Sequence, residues 1–225
     1  MTGQRRASRA AAWLAGVSVA ACSSGPPPAD WQLNSKSAID GSVVAYLSGD
    51  GALAARQFQL ARDEIARTGR ADLLARIELI GCAARVASLQ FENCEGFEKL
   101  RAQADASERA YADYLAARLL PQDVELLPRS QRIVVQAVSS PDAAATQLRA
   151  IDDPFSRLVA AAVLFESGSA NPAAISLAVD TASEQGWRRP LLAWLNVQAL
   201  RAEKAGALDE AERLRKRIGL VQDAN

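Results

Sequence analysis

Residues 140–190 read SPDAAATQLRAIDDPFSRLVAAAVLFESGSANPAAISLAVDTASEQGWRRP, and this stretch decides the fold class. Three times a residue that can cap a helix stands directly before a proline, at Ser140–Pro141, Asp153–Pro154 and Asn171–Pro172. Proline suits the first turn of a helix, because the amide nitrogen there has no intrahelical hydrogen bond to lose. Gly168 and Gly186 stand where the preceding helices should end. The stretch therefore predicts consecutive helices joined by short turns.

Helical spacing continues through most of the chain from Lys36 onward. Apolar residues recur on one helix face, first as Ile39, Val43, Val44 and Leu47, and later as Leu73, Ile77 and Ile80. No alternating run of β-branched residues is long enough to predict a strand. We expect an all-α domain over residues 36–225 with about ten or eleven helices.

The last unit, LLAWLNVQALRAEKAGALDEAERLRKRIGL at residues 191–220, resembles a tetratricopeptide repeat. The positions that carry the resemblance are Leu195, Ala199, Gly206, Leu208 and Ala211. Gln198, Ala202 and Arg215 stand where that repeat has large apolar residues, and no strict 34-residue period runs through the chain. The resemblance implies antiparallel helix pairs stacked as a superhelix, with an irregular helical bundle as the alternative.

The first 21 residues have the three parts of a secretory signal: a basic start, a short apolar run and small residues at its end. The run, residues 10–21, is too short to span a bilayer as a helix. Val19-Ala20-Ala21-Cys22 resembles the lipobox of bacterial lipoproteins. The resemblance implies that residues 1–21 are a lipoprotein signal peptide and that Cys22 is lipidated. The alternative is a signal cleaved at Ala21 that leaves Cys22 as a thiol.

Residues 22–35 follow the signal, and three consecutive prolines in them predict an extended, flexible tether. Cys22 is followed by Ser23 and Ser24 rather than by aspartate. By analogy with enterobacterial sorting, this implies release to the outer membrane. We expect a domain that is lipid-anchored there and faces the periplasm.

The composition excludes several classes of protein. All 26 acidic residues lie after residue 21, together with 26 − 3 = 23 basic ones, so the formal charge of that part is −3. This balance argues against nucleic acid as a partner. The sequence contains no histidine, which excludes Ser-His-Asp and Cys-His catalysis and any zinc site that needs imidazole. We predict no metal and no cofactor.

Two cysteines remain beside Cys22, and both follow an export signal. Disulfides persist in the oxidising periplasm, and Cys82 and Cys94 are separated by about a dozen residues, a loop long enough to close. We predict a Cys82–Cys94 disulfide. The alternative is that Cys82 is only a buried thiol.

Residues 165–176, FESGSANPAAIS, resemble the catalytic-glutamate segment of lytic transglycosylases, which cleave peptidoglycan. The resemblance implies that Glu166 is a general acid/base buried enough to raise its pKa. One extra residue precedes Asn171, and the Gly-Leu-Met-Gln stretch of that family is absent. Because Gly168 and Asn171 also fit a helix end and a helix cap, we expect no enzyme.

Two further groups of residues require an interpretation. Glu78 lies among apolar residues and is expected to pair with Arg76, Arg85 or an arginine of another helix. The second group, Trp187, Arg188, Arg189 and Trp194, is the best candidate for a partner-binding surface, because tryptophan and arginine dominate interface hot spots. The alternative is that both tryptophans lie in the core.

Together these features predict an outer-membrane lipoprotein whose helical repeats form a scaffold for another envelope protein. Its partners would be the membrane, through the lipid, and an accessory or assembly protein of the envelope. The two alternatives are a peptidoglycan lytic enzyme that uses Glu166 and a carrier of an apolar ligand.

Overall fold

The computed structural model describes residues 27–223, and within that range the chain is all-α, as predicted. Eleven α-helices and two 3₁₀ helices follow one another, with no strand among the described residues. The α-helices are α1 (Asp30–Ser48), α2 (Gly51–Ala66), α3 (Ala71–Ala87), α4 (Glu95–Glu98), α5 (Ala106–Leu115), α6 (Arg129–Gln136), α7 (Pro141–Arg149), α8 (Pro154–Glu166), α9 (Pro172–Glu184), α10 (Arg188–Lys204) and α11 (Leu208–Asp223). The 3₁₀ helices are Arg101–Gln103 and Pro121–Leu126.

The three predicted proline starts are confirmed, since α7, α8 and α9 each begin at the proline. Asp153 accepts a hydrogen bond from the Ser156 amide at 2.7 Å, and Asn171 accepts one from the Ala174 amide at 2.9 Å. The Ser140 side chain makes no such bond, so its capping role is wrong although the helix begins where expected. Gly168 and Gly186 take the left-handed conformation after α8 and α9.

Helix α8 lies at the centre of the fold. Its sequence PFSRLVAAAVLFE is apolar on nearly every side, which is typical of a helix surrounded by others. All seven residues from Leu158 to Leu164 are buried, and three consecutive alanines allow neighbouring helices to approach closely. Helices α3, α5, α6, α7 and α9 all contact α8.

The helices pair in sequence, but the fold also closes on itself. Helix α1 packs on α2, α9 on α10 and α10 on α11, as expected for consecutive helix pairs. In an open superhelix each unit contacts only its sequence neighbours. Here α1 also contacts α10 and α3 contacts α8, which favours an irregular bundle. The superhelical arrangement stays a prediction.

Two predicted boundaries move. Helix α1 begins at Asp30, so the last six residues of the predicted tether, 30–35, are helical, and the Trp31 side chain packs on the apolar residues between α1, α2 and α3. The apolar spacing of Tyr111, Tyr114, Leu115 and Leu119 predicts a helix that is ended by Pro121, but helix α5 ends at Leu115. The chain leaves the helix because Ala117 takes a left-handed φ of 52°.

Candidate functional site

The predicted anchor lies outside the described residues. The signal peptide over 1–21 and the lipidated Cys22 fall in the part of the chain before residue 27. From residue 27 to residue 223, no helix combines the length and the apolar character that crossing a bilayer requires. The anchor therefore stays a prediction from the sequence.

The predicted disulfide is seen. Cys82 of α3 and Cys94, directly before α4, are joined, with their Cα atoms 5.7 Å apart. Both side chains are buried, and the Phe97 ring of α4 is fully buried. The bond holds the turn between α3 and α4 against α3, and it helps to keep Phe97 in the core.

Glu78 lies beneath this turn and pairs with an arginine of another helix, as the sequence suggested. Glu78 is 7% exposed, and its carboxylate makes an ion pair with Arg62 of α2, although Oε1 has no well-aligned hydrogen bond among the described residues. Gly96 of α4 passes directly over the carboxylate, where a larger residue would overlap Oε2. Arg76 instead donates to Glu108 of α5 at 2.8 Å. These carboxylates hold helices together.

The structure does not place Glu166 in a catalytic setting. Glu166 is the last residue of α8 and its side chain is exposed, whereas the lytic-transglycosylase resemblance implied a buried carboxyl group. The nearby Gly168 and Asn171 act as a helix end and a helix cap. The burial that the resemblance implied for Glu166 is therefore not seen, whereas the expected helix end and cap are.

The prediction of a partner-binding surface is wrong for both tryptophans, because both are core residues. Trp187 is 8% exposed and Trp194 is fully buried. The Trp194 indole donates to the Ala87 carbonyl of α3 at 3.2 Å and packs edge-on against the Phe165 ring at 5.7 Å. The alternative interpretation, two core tryptophans, is the one that the structure shows.

The two arginines of that group bind within the chain. Arg189 donates through Nε to the Tyr46 carbonyl at 2.9 Å, and its guanidinium lies 4.3 Å from the centre of the Tyr46 ring. Arg188 donates to the Gln222 carbonyl of α11 at 2.9 Å. The start of α10 therefore joins the first helix pair to the last one.

Two concave surfaces outside the predicted residues are better candidates for binding. The first, which we call the terminal groove, lies between α9, α10 and α11 and has a volume of about 260 Å³. Its lining includes Ile175, Ser176, Gln198, Arg201, Ala202 and Glu210. Arg201 and Glu210 are exposed, and neither makes an ion pair or side-chain hydrogen bond in residues 27–223. The groove thus combines an apolar floor with exposed charges of both signs.

A sequence signal for this groove existed. Gln198 and Ala202 are two of the three positions that depart from the tetratricopeptide pattern, where large apolar residues are usual. Both line the terminal groove, and a large residue at position 202 would fill it. The two departures thus coincide with a concave surface.

The second surface, which we call the apolar cleft, lies between α5, α6, α8 and the segment 116–128. Its volume is about 380 Å³. Aliphatic side chains form most of its walls, including Leu119, Val124, Val134, Val135, Val163 and Leu164. No charged side chain of the described part of the chain lines it. No sequence pattern indicated this cleft, because it depends on how distant helices pack.

Comparisons of the chain with protein families, with curated proteins and with solved structures each found no match.

Proposed function

We propose that the chain is a non-enzymatic outer-membrane lipoprotein that faces the periplasm and binds another envelope protein as an adaptor. The lipobox at Val19–Cys22 supports the anchor, and the terminal groove supports the binding role. The groove is the single observation on which the adaptor proposal depends.

The terminal groove has the chemistry that a peptide segment requires. A bound peptide brings backbone N–H and C=O groups that need partners. The groove offers the exposed Arg201 and Glu210, and the Gln198 amide, which is engaged with Ser176 at 3.2 Å. The apolar floor at Ile175 and Ala202 would take side chains of the peptide. Opposite charges at the rim would orient the partner more than tighten its binding.

The test is site-specific photo-crosslinking in intact cells. A photo-reactive residue at the exposed, groove-lining Ala205 is expected to capture one envelope protein. The same residue at the exposed Asp40 of α1 serves as the control for surface proximity. A Cys22→Ala strain should lose the adduct if anchoring brings the partners together. Equal adducts from Ala205 and Asp40, or no adduct from Ala205, would remove the adaptor proposal.

Charge reversal gives a second readout. Arg201→Glu should weaken the captured complex by about tenfold, which corresponds to about 1.4 kcal/mol, because charge reversal replaces an attraction with repulsion between like charges across the interface. Arg213→Glu is the matched control, because Arg213 is exposed on α11 outside the groove. Equal effects of the two substitutions would assign the loss to net charge and not to the groove.

The enzymatic alternative has no support from the position of Glu166. We expect neither the purified protein nor the Glu166→Gln variant to cleave isolated sacculi. Cleavage by the wild type that Glu166→Gln abolishes would replace the adaptor proposal with a lytic enzyme.

A further inference from the structure

We propose that the apolar cleft is a binding site for a single aliphatic chain, of the kind that fatty acids and membrane lipids carry. The site is distinct from the terminal groove, so the inference goes beyond the adaptor function and does not depend on it. Its volume of about 380 Å³ falls in the range of small-molecule sites.

The walls of the cleft come from four parts of the chain, of which helix α5 contributes Tyr114. Helix α8 contributes Ala160, Val163 and Leu164, and helix α6 contributes Val134 and Val135. The segment 116–128, which we call the strap, closes the other side with Leu119, Pro121 and Val124. The 3₁₀ helix within the strap packs against α5 and α6. The deepest residues, Val134 and Ala160, are almost fully buried.

The polar side chains of the lining already have partners inside the protein. The Tyr114 hydroxyl donates to Gln131 Oε1 at 2.5 Å, and the Ser167 hydroxyl donates to the Leu164 carbonyl at 3.0 Å. The Gln136 amide donates to Glu125 at 3.2 Å. The interior of the cleft therefore offers contact with hydrocarbon and few hydrogen-bonding groups.

The lack of free hydrogen-bonding and charged groups among the described lining residues distinguishes between classes of ligand. An extended peptide in the cleft would bury backbone N–H and C=O groups without partners, which costs several kcal/mol in an apolar site. A charged group would lose its hydration with no ion of opposite sign among the lining residues. A hydrocarbon chain has neither requirement. The cleft thus selects an uncharged aliphatic chain.

The mouth of the cleft shows how such a chain would be held. Val138 lines the cleft and is 39% exposed, so the apolar surface of the cleft reaches solvent there. The nearby Arg132 and Glu125 pair with each other at 2.7 Å. Because these charges are already neutralised, the polar end of a lipid would stay in water without specific recognition.

The first experiment is titration of the purified protein with cis-parinaric acid, whose fluorescence rises in an apolar site. When saturated fatty acids of increasing length displace the probe, their affinity should rise by about fourfold per methylene until the chain fills the cleft. Dodecanoic acid and dodecanol should compete equally, because no group in the cleft recognises the head. Competition by the acid alone would overturn the proposed class of ligand.

Two substitutions on α6 form a matched pair. Val135→Trp fills the cleft and should lower the affinity for cis-parinaric acid by about tenfold or more. Ile133→Trp places the same side chain on another face of α6, outside the cleft, and should leave binding unchanged. Far-UV circular dichroism checks that both variants fold. Equal binding by both variants would overturn the proposal.

A third variant keeps the test open if Val135→Trp does not fold. Val138→Asp places a charge at the exposed mouth and should weaken binding of cis-parinaric acid while leaving the fold intact. Displacement by dodecanoic acid but not by a lysophospholipid of the same chain length assigns a free fatty acid, because the larger head group is then excluded at the mouth. Displacement by the lysophospholipid as well assigns a membrane lipid. Absence of probe binding to the wild type refutes the site and leaves the terminal groove unaffected.

Discussion

The contact between Gly96 and Glu78 leads to a prediction about stability. A Cβ added at Gly96 would overlap Glu78 Oε2 and lie 2.5 Å from the carboxyl carbon and 3.1 Å from Oε1. The carboxylate is buried and paired with Arg62, so it has little freedom to move away. We therefore expect Gly96→Ala to destabilise the fold.

The size of the effect follows from two terms. Overpacking of a well-packed site costs about 1–3 kcal/mol. Displacement of Glu78 would also weaken its ion pair with Arg62, and breaking a buried pair costs about 3–5 kcal/mol. The Arg62 side chain is 37% exposed, so water compensates for much of that second term. We expect a loss of about 2–3 kcal/mol in the free energy of unfolding.

The assay is urea unfolding followed by circular dichroism, with Gly219→Ala as the matched control. Gly219 is also helical, but a Cβ added there would have none of the described atoms within 4 Å, so alanine should stabilise by up to about 1 kcal/mol. In a Glu78→Ala background, Gly96→Ala should lose most of its cost, because the overlapping carboxylate is gone. A Gly96→Ala protein as stable as wild type would refute the reasoning.

Four further predictions concern other parts of the fold. The double variant Cys82→Ala, Cys94→Ala should lose about 3 kcal/mol of the free energy of unfolding, which lowers the melting temperature by about 6–12 °C. An unchanged melting temperature would contradict the stabilising role of the disulfide. Trp194→Phe should cost about 1–3 kcal/mol in urea unfolding, because the buried Ala87 carbonyl loses its donor; a neutral effect would mean that this bond adds nothing. Ala117→Gly should raise stability by up to about 1 kcal/mol, since glycine adopts the φ of 52° without strain, and a loss of stability would show that the Ala117 methyl group matters more. Burial raises the pKa of Tyr114 well above its ordinary value of 10.0, so the unfolded chain loses the hydroxyl proton at lower pH than the folded protein does. The free energy of unfolding should therefore fall as the pH rises above about 10. Tyr114→Phe should flatten that fall in pH-dependent unfolding, and an equally steep fall in the variant would assign it to other groups.

Features set by neighbouring residues were predictable from the sequence. The proline starts of α7, α8 and α9 depend on one capping position and one ring, and all three helices begin at the proline. The Cys82–Cys94 pairing depends on a short loop, and it is also present. Ala117 shows the limit of local reasoning, because nothing in an alanine marks a left-handed turn.

Features set by distant residues were not predictable from one sequence. Trp194 is buried because α3, far earlier in the chain, supplies the Ala87 carbonyl. Arg189 has the composition of an interface residue but binds Tyr46 instead. The apolar cleft likewise requires α8 to lie opposite the strap, which no periodicity in either segment indicates.

The bond from Arg189 to the Tyr46 carbonyl spans 143 residues of sequence, and this has a consequence for folding. The first helix pair cannot make its contact with α10 until the chain beyond residue 189 is present. Contacts of such long range are slow to form, since a large loop must close first. A chain that emerges from its amino end during synthesis would therefore complete this part of its structure late, and its first helices would depend on other contacts until then.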